Sequence, residues 1–434
     1  MKLLFIFLLS LANTQASVPE LFGQSAGSLA IGQQAQKESA ANNFEAPALQ
    51  GFSETTQFSF DVFYISTHFK EIKNVLIKNE TNTVGTNETG NVKVNATPSM
   101  MFGAHLSTPL FSPQGPKLNF SAFAPFDRIM EADTGDPYQP RYVMYQGRFM
   151  RPVLMVSGAQ SFGDWSYSLG AQTGFQSNGE AYFITRTTPG NPSLSKLSFN
   201  AKPSLGLNFS VARKNENKVS YFSFHQEMKS KLYNHATGET EVAGTQVGQF
   251  DFDLSSLLYY DPMTLRLGHQ IHQAENSYYF SLEFQRWDQY ESSILKIKKL
   301  GGTINGSDQL ENIKTRNIFI PKIGIEHSMN TKWILKAGYF YRPTPFDPSN
   351  LKNPGNSIDV SKHVSSVGVA HLFNFYQKIL TLDFAYQAHW LDHHSVTKTP
   401  NREDGDPSEQ KIGSPGYQVG GMIHLLSMGL NWKY

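Results

Sequence analysis

Apolar and polar residues alternate with a period of two along most of the chain. In residues 379–390, Leu380, Leu382, Phe384, Tyr386, Ala388 and Trp390 take one face, and Thr381, Asp383, Ala385, Gln387 and His389 take the other. A strand sorts side chains in this way and a helix does not. The same period recurs at Phe280, Leu282 and Phe284 against Ser281, Glu283 and Gln285, and at Leu205, Leu207, Phe209 and Val211. In the final segment Leu426, Met428, Leu430, Trp432 and Tyr434 alternate with Leu425, Ser427, Gly429, Asn431 and Lys433. The alternation predicts about fourteen strands of about ten residues each between Thr55 and Tyr434. Their polar faces are too wet for a sandwich core. Strands that are apolar outward, polar inward and aromatic near their ends suit a transmembrane barrel, because only closure satisfies every backbone group in lipid. The expected fold class is therefore all-β, a transmembrane antiparallel β-barrel.

The connections fall into two kinds. Asn74 to Thr97, Thr187 to Ser195, Tyr233 to Gly248, Leu300 to Asn317, Pro343 to Lys362 and His393 to Tyr417 are long and polar, and read as loops on the outer side. Arg213 to Lys218, Gln273 to Ser277 and Asn330 to Lys332 are short and read as periplasmic turns. Residues 1–16 read as a secretory signal peptide, with Lys2 at its start, an apolar core from Leu3 to Ala12, and small Thr14 and Ala16 placed for cleavage before Ser17. Residues from about 20 to 52 are small and polar, without a period of two, and read as a compact segment outside the barrel wall.

Composition narrows the function classes. Lys and Arg number 37 against 36 Asp and Glu, which gives no basic footprint for nucleic acid. The absence of cysteine removes disulfides, thiolate metal sites and thiol nucleophiles, and suits an exported bacterial chain. No apolar run approaches the length of a membrane helix, so any bilayer is crossed by strands. His393 and His394 beside Asp392 face opposite sides of an extended chain and have no second His pair near them, so they read as solvated residues and no metal is expected. The Asn79, Asn87 and Asn95 triplets fit a glycosylation pattern and read as loop composition. No Gly-x-Ser-x-Gly elbow, phosphate-cradling loop or zinc-protease motif occurs, so neither catalytic residues nor a cofactor are expected.

The segment Leu21 to Phe52, with Gly27-Ser28-Leu29-Ala30-Ile31-Gly32, Ala40-Ala41 and Pro47-Ala48-Leu49, resembles the N-terminal plug of FadL-type outer-membrane transporters for long-chain fatty acids and aromatic hydrocarbons. Ala46 stands where that family has Asn, so an amide donor and acceptor are missing there. The resemblance continues through Phe102 to Leu110, Leu205 to Leu207, Tyr221 to Leu232, Asp261 to Gly268, Leu282 to Tyr290, Lys336 to Tyr341 with Pro343 and Pro345, and the Leu380 strand. It implies a 14-stranded barrel spanning residues 55–434 whose lumen holds a plug of residues 17–54, an outer apolar capture groove, and sideways exit of the ligand. The implied role is import of hydrophobic molecules, long-chain fatty acids first, by a monomer in the outer membrane of a Gram-negative bacterium, in contact with its lipid. A general diffusion porin and a surface receptor or adhesin are the rival readings.

Phe22, Phe44 and Phe52 either touch ligand or pack the plug against the wall. Pro47 and Ala48 suit a rigid turn in the plug. Lys336 faces inward with Ile334 and Phe340; a basic residue also occurs at this place in the family, so it either meets a fatty-acid carboxylate or pairs with a carboxylate of the plug. Trp287, Trp333, Trp390 and Trp432 suit the interfacial aromatic girdles.

Overall fold

A computed structural model of the protein describes residues 19–78, 88–92, 94, 98–126, 140–145, 152–174, 177–186, 192–201, 204–242, 245–291, 296–302, 313–347, 356–376, 378–398 and 412–434. The expected signal peptide and the Asn79, Asn87 and Asn95 triplets lie outside the described residues.

Fourteen strands form one closed antiparallel ring: Gln57–Phe69, Ser99–Pro109, Lys117–Pro125, Val153–Phe162, Trp165–Gly174, Leu205–Asn215, Lys218–His225, Met263–Gln273, Asn276–Arg286, Ile318–Ser328, Trp333–Arg342, Lys362–Phe375, Lys378–Thr397 and Gly416–Lys433. Each pairs with the ring strands before and after it in the chain. The ring shuts where the first strand meets the last, with Phe58 opposite Trp432 and Ile65 opposite Leu425.

Parity decides the face of each side chain. Phe60, Leu207, Leu267, Leu282, Phe319 and Val367 are exposed on the outside, whereas Asp61, Asn119, Ser210, Arg266, Glu283, Lys322 and Gln387 are buried inside. An outer wall this apolar is stable in hydrocarbon and would be an aggregation liability in water. Trp333, Trp390 and Trp432 project from it as expected of a girdle. Trp287 does not: it is 2% exposed and turned inward. It has the parity of the inward-facing Glu283 and Gln285, opposite to that of the lipid-facing Phe280 and Leu282.

Two-residue turns such as 163–164, 216–217 and 274–275 close one end of the ring, and the long connections rise from the other, which is the outer end. Three of these connections are more ordered than the loops expected from sequence. Met228–Val242 and Thr245–Asp261 form a long hairpin, joined by Lys296–Gly302 on one side and by Pro192–Ala201 with Ser177–Arg186 on the other. The result is a separate five-stranded sheet. In Thr245–Asp261, Phe250, Phe252 and Leu254 alternate with Asp251, Asp253 and Ser255 as a wall strand would, so the alternation alone does not separate this sheet from the ring.

Residues 19–52 make short turns and helices, among them Ala26–Ala30 and Asn42–Glu45. Ser25 starts the first helix as a reciprocal cap: its Oγ accepts from Ser28 N at 3.1 Å, and Ser28 Oγ accepts from Ser25 N at 2.8 Å. Pro47 opens the 3-10 turn Pro47–Phe52 at the position where a missing N–H costs nothing. Almost every residue of the segment is buried. Its hydrogen-bond partners are inward-turned side chains on strands round the ring.

Candidate functional site

Residues 19–52 are fastened by polar groups that the strands turn inward. Asp61 Oδ1 accepts from Ala26 N at 2.7 Å, Gln387 Nε2 donates to Leu29 O at 2.8 Å, and Lys322 Nζ donates to Gln33 O at 3.1 Å. On the opposite wall Asn43 Nδ2 donates to Ser121 Oγ at 2.9 Å, Ser157 Oγ donates to Asn43 Oδ1 at 2.6 Å, and Ala48 N donates to Ser210 Oγ at 2.7 Å. Gln270 Nε2 reaches Ala35 O at 2.8 Å, and Ser223 Oγ reaches Glu45 O at 2.7 Å. These bonds satisfy backbone groups of a segment too irregular to pair them itself.

Glycines allow the closest approaches. Gly32, at a φ of +79°, turns the chain against the wall, and a Cβ at Gly338 would lie 2.2 Å from Gly32 N. One at Gly324 would lie 2.4 Å from Ile31 O. Both wall positions are smooth where the segment's backbone presses on them.

Two cavities flank the segment. The one toward the outer end, about 100 Å³, is lined by Phe22 and Phe44 from the segment and by Met228, Tyr260, Trp287, Ile320 and Phe340, with Glu20, Glu45, Arg266, Glu283, Lys322 and Arg342 among them. The one toward the short turns, about 410 Å³, is lined by polar groups such as Lys37, Glu38, Gln50, Lys214 and His272, together with Phe52. Over the outer end, Ile72, Val75, Tyr142, Val143, Met144, Ile358 and Val360 belong to the same buried apolar cluster as Leu21 and Phe22. Tyr142 helps to hold this cover, its Oη taking a 2.7 Å bond from Gly420 N.

The charges around the outer cavity are paired across the segment and the wall. Arg266 Nε lies 3.2 Å from Glu45 Oε2 and 3.0 Å from Glu283 Oε2, and Lys322 Nζ lies 2.9 Å from that Glu283 oxygen. Beside them, Glu20 Oε1 lies 2.8 Å from Arg342 Nε and 3.0 Å from Lys362 Nζ, with Asp359 Oδ2 3.9 Å from Arg342 Nη1. Burial raises the Glu20 pKa, but the charges of Lys362 and Arg342 outweigh it and hold the carboxyl down at about 2.

The residues singled out in the sequence divide between these places. Phe22 meets Phe123 edge-on at 5.3 Å, and Phe44 lies 5.4 Å from the His225 ring with Arg266 5.5 Å over its face. Both line the outer cavity and Phe52 lines the inner one. Pro47 and Ala48 are buried and line neither. Lys336 is buried and inward-facing, as its parity requires, with Nζ 2.8 Å from Asp383 Oδ1 and 3.2 Å from Glu326 Oε1. Those partners are on the wall, whereas the sequence offers a fatty-acid carboxylate or a carboxylate of the plug as the partner. Ala46, in place of the family's Asn, donates its backbone N to Asn42 O at 2.8 Å; the neighbouring Asn42 side chain bonds Gln36 within the segment, and Asn43 anchors it to the wall. Arg266, Lys322, Arg342, Glu20 and Glu45 escaped the sequence reading: parity marks the wall residues as inward, but nothing local says which of them meet.

No family model matches the sequence. Over 160 residues it is 25% identical to alkane uptake protein A of Marinobacter nauticus, a match spanning 36% of this chain and about a third of that protein's length (32%). Among solved structures, a Pseudomonas aeruginosa FadL homologue superposes with a TM-score of 0.60 at 15% identity, over 98% of this chain and 99% of that one. The CymD monoaromatic hydrocarbon channel gives 0.56 at 11% identity over 96% and 99%. The toluene transporter TodX of P. putida gives 0.51 at 11% identity over 95% and 98%. The closed ring, its apolar outer band and these whole-length likenesses identify the chain as an outer-membrane β-barrel with the FadL-type fold.

Proposed function

We propose that the protein carries hydrophobic small molecules across the outer membrane, with residues 19–52 as a plug that the ligand passes. The observation that carries this reading is the outer cavity, where Phe22 and Phe44 of the lumenal segment face Tyr260, Trp287, Ile320 and Phe340 of the barrel and its outer connections. An apolar solute crosses a polar saccharide layer poorly, and a path lined by aromatic rings lowers that barrier. The curated relative is named for alkane uptake, and two structural neighbours are named for monoaromatic hydrocarbons and toluene. Long-chain fatty acids and hydrocarbons are the two substrate classes that suit such a path. A cavity of about 100 Å³ is smaller than the ~300–1,000 Å³ usual for a ligand site, so passage requires the segment to shift. Lys336, already flanked by two carboxylates, is assigned to holding the wall together rather than to a ligand head group.

The test is uptake of radiolabelled hydrophobic solutes by cells producing the protein, beside single-channel recording of the purified barrel. Faster uptake than in control cells, with little steady ion conductance, is expected. A large steady conductance without hydrophobic uptake would make the protein a porin.

A further inference from the structure

Resting on the reading above, we infer that the channel takes uncharged hydrophobic molecules and rejects carboxylates, because Glu20 and Glu45 of the lumenal segment occupy the places a substrate carboxylate would need. Without the segment, two sites have surplus positive charge. Arg266 and Lys322 share one wall carboxylate, Glu283, and Arg342, with Lys362 beside it at the Glu20 site, has only Asp359, 3.9 Å away in the connection that leads into Lys362–Phe375. Each group has two cations against one anion. In each, the segment supplies the missing anion: Glu45 at 3.2 Å from Arg266, and Glu20 at 2.8 Å from Arg342 and 3.0 Å from Lys362. Glu45 is further held by Gln24 Nε2 at 2.6 Å. Among the described residues lining the outer cavity, every Lys or Arg is therefore in an ion pair.

The consequence for selectivity is electrostatic. A carboxylate entering this cavity leaves water without meeting a free cation, and an uncompensated buried charge is strongly unfavourable. To win a cation it must displace an internal carboxylate that is already bonded and tethered, which has the advantage of proximity. A hydrocarbon meets neither obstacle, and Phe22, Phe44, Trp287 and Phe340 line the cavity it would enter.

Hexadecane and hexadecanoate have equal chain lengths and differ in the carboxylate, so they isolate this term. Initial uptake of each, radiolabelled, is compared in cells with and without the protein, at mildly alkaline pH where the acid is ionised. The expected result is protein-dependent uptake of hexadecane at least about tenfold faster than that of hexadecanoate, the ratio one unfavourable charged contact produces. Glu45→Gln and Glu20→Gln, each checked for a folded barrel by heat-modifiable migration, uncover one cation apiece. Either should raise hexadecanoate uptake by about tenfold. Equal uptake of the two ligands by the wild type overturns the inference whether or not the variants fold, and so do folded variants that leave hexadecanoate uptake where it was. Uptake of neither ligand by the wild type overturns the proposed function itself, and so is distinguishable from failure of the charge argument.

Discussion

Replacing Gly338 by Ala probes the docking of residues 19–52 with a single methyl group. Gly338 lies in the strand Trp333–Arg342 and is not among the glycines at positive φ, so alanine suits its backbone. The new Cβ would sit 2.2 Å from Gly32 N and 2.3 Å from Ile31 C, both main-chain atoms that no rotamer change can move. Overpacking of this kind costs about 1–3 kcal/mol. Backing the segment away also strains the nearby bonds from Gln387 Nε2 to Leu29 O and from Lys322 Nζ to Gln33 O, at about 1 kcal/mol for a typical bond lost. Docking should therefore weaken by about 2–4 kcal/mol, a thirty- to thousand-fold rise in the undocked population, roughly. Planar-bilayer recording reads this directly as more frequent and longer openings. Gly158→Ala is the control, since its Cβ would meet nothing within 4 Å. A folded Gly338→Ala barrel whose conductance trace matches both the wild type and Gly158→Ala would refute the packing argument and the plug reading with it.

Other consequences follow from the ion pairs and anchors. The Glu20 pKa is held at about 2, against 4.5 for the free side chain, so its clamp stabilises the fold fully above pH 4.5 and fades as pH falls toward 2. That contribution is on the order of 3 kcal/mol; unfolding of the wild type and Glu20→Gln in urea should differ most at neutral pH and converge near pH 2, whereas a constant gap would contradict the linkage. Lys336→Met strips the cation from Asp383 and Glu326 and should cost about 3–5 kcal/mol in the same assay, while a loss below about 1 kcal/mol would mean that the carboxylates find another partner. Asn43→Ala removes the bonds to Ser121 and Ser157, and amide exchange across residues 39–50 should quicken by about tenfold or more; protection equal to the wild type would show that these bonds do not hold the segment.

The alternation of Leu380 to Trp390 and of Leu426 to Tyr434 determines both the strand and its lipid face, because parity is a local property and the solvents on the two sides differ. The same rule marks Lys336 and Glu283 as inward. It also marks Trp287 as inward, with Glu283 and Gln285, but it does not tell the wall from the separate sheet: Phe250, Phe252 and Leu254 alternate with Asp251, Asp253 and Ser255 in Thr245–Asp261, a strand outside the ring. Only the tertiary structure decides which inward groups meet. Glu45 finds Arg266 and Glu20 finds Arg342 across more than two hundred residues of chain, and Gly338 receives the backbone of Gly32 across about three hundred. Closure of the ring creates those contacts: a strand's own sequence sets the side to which a residue points, while ring register and the path of the lumenal segment set what stands opposite.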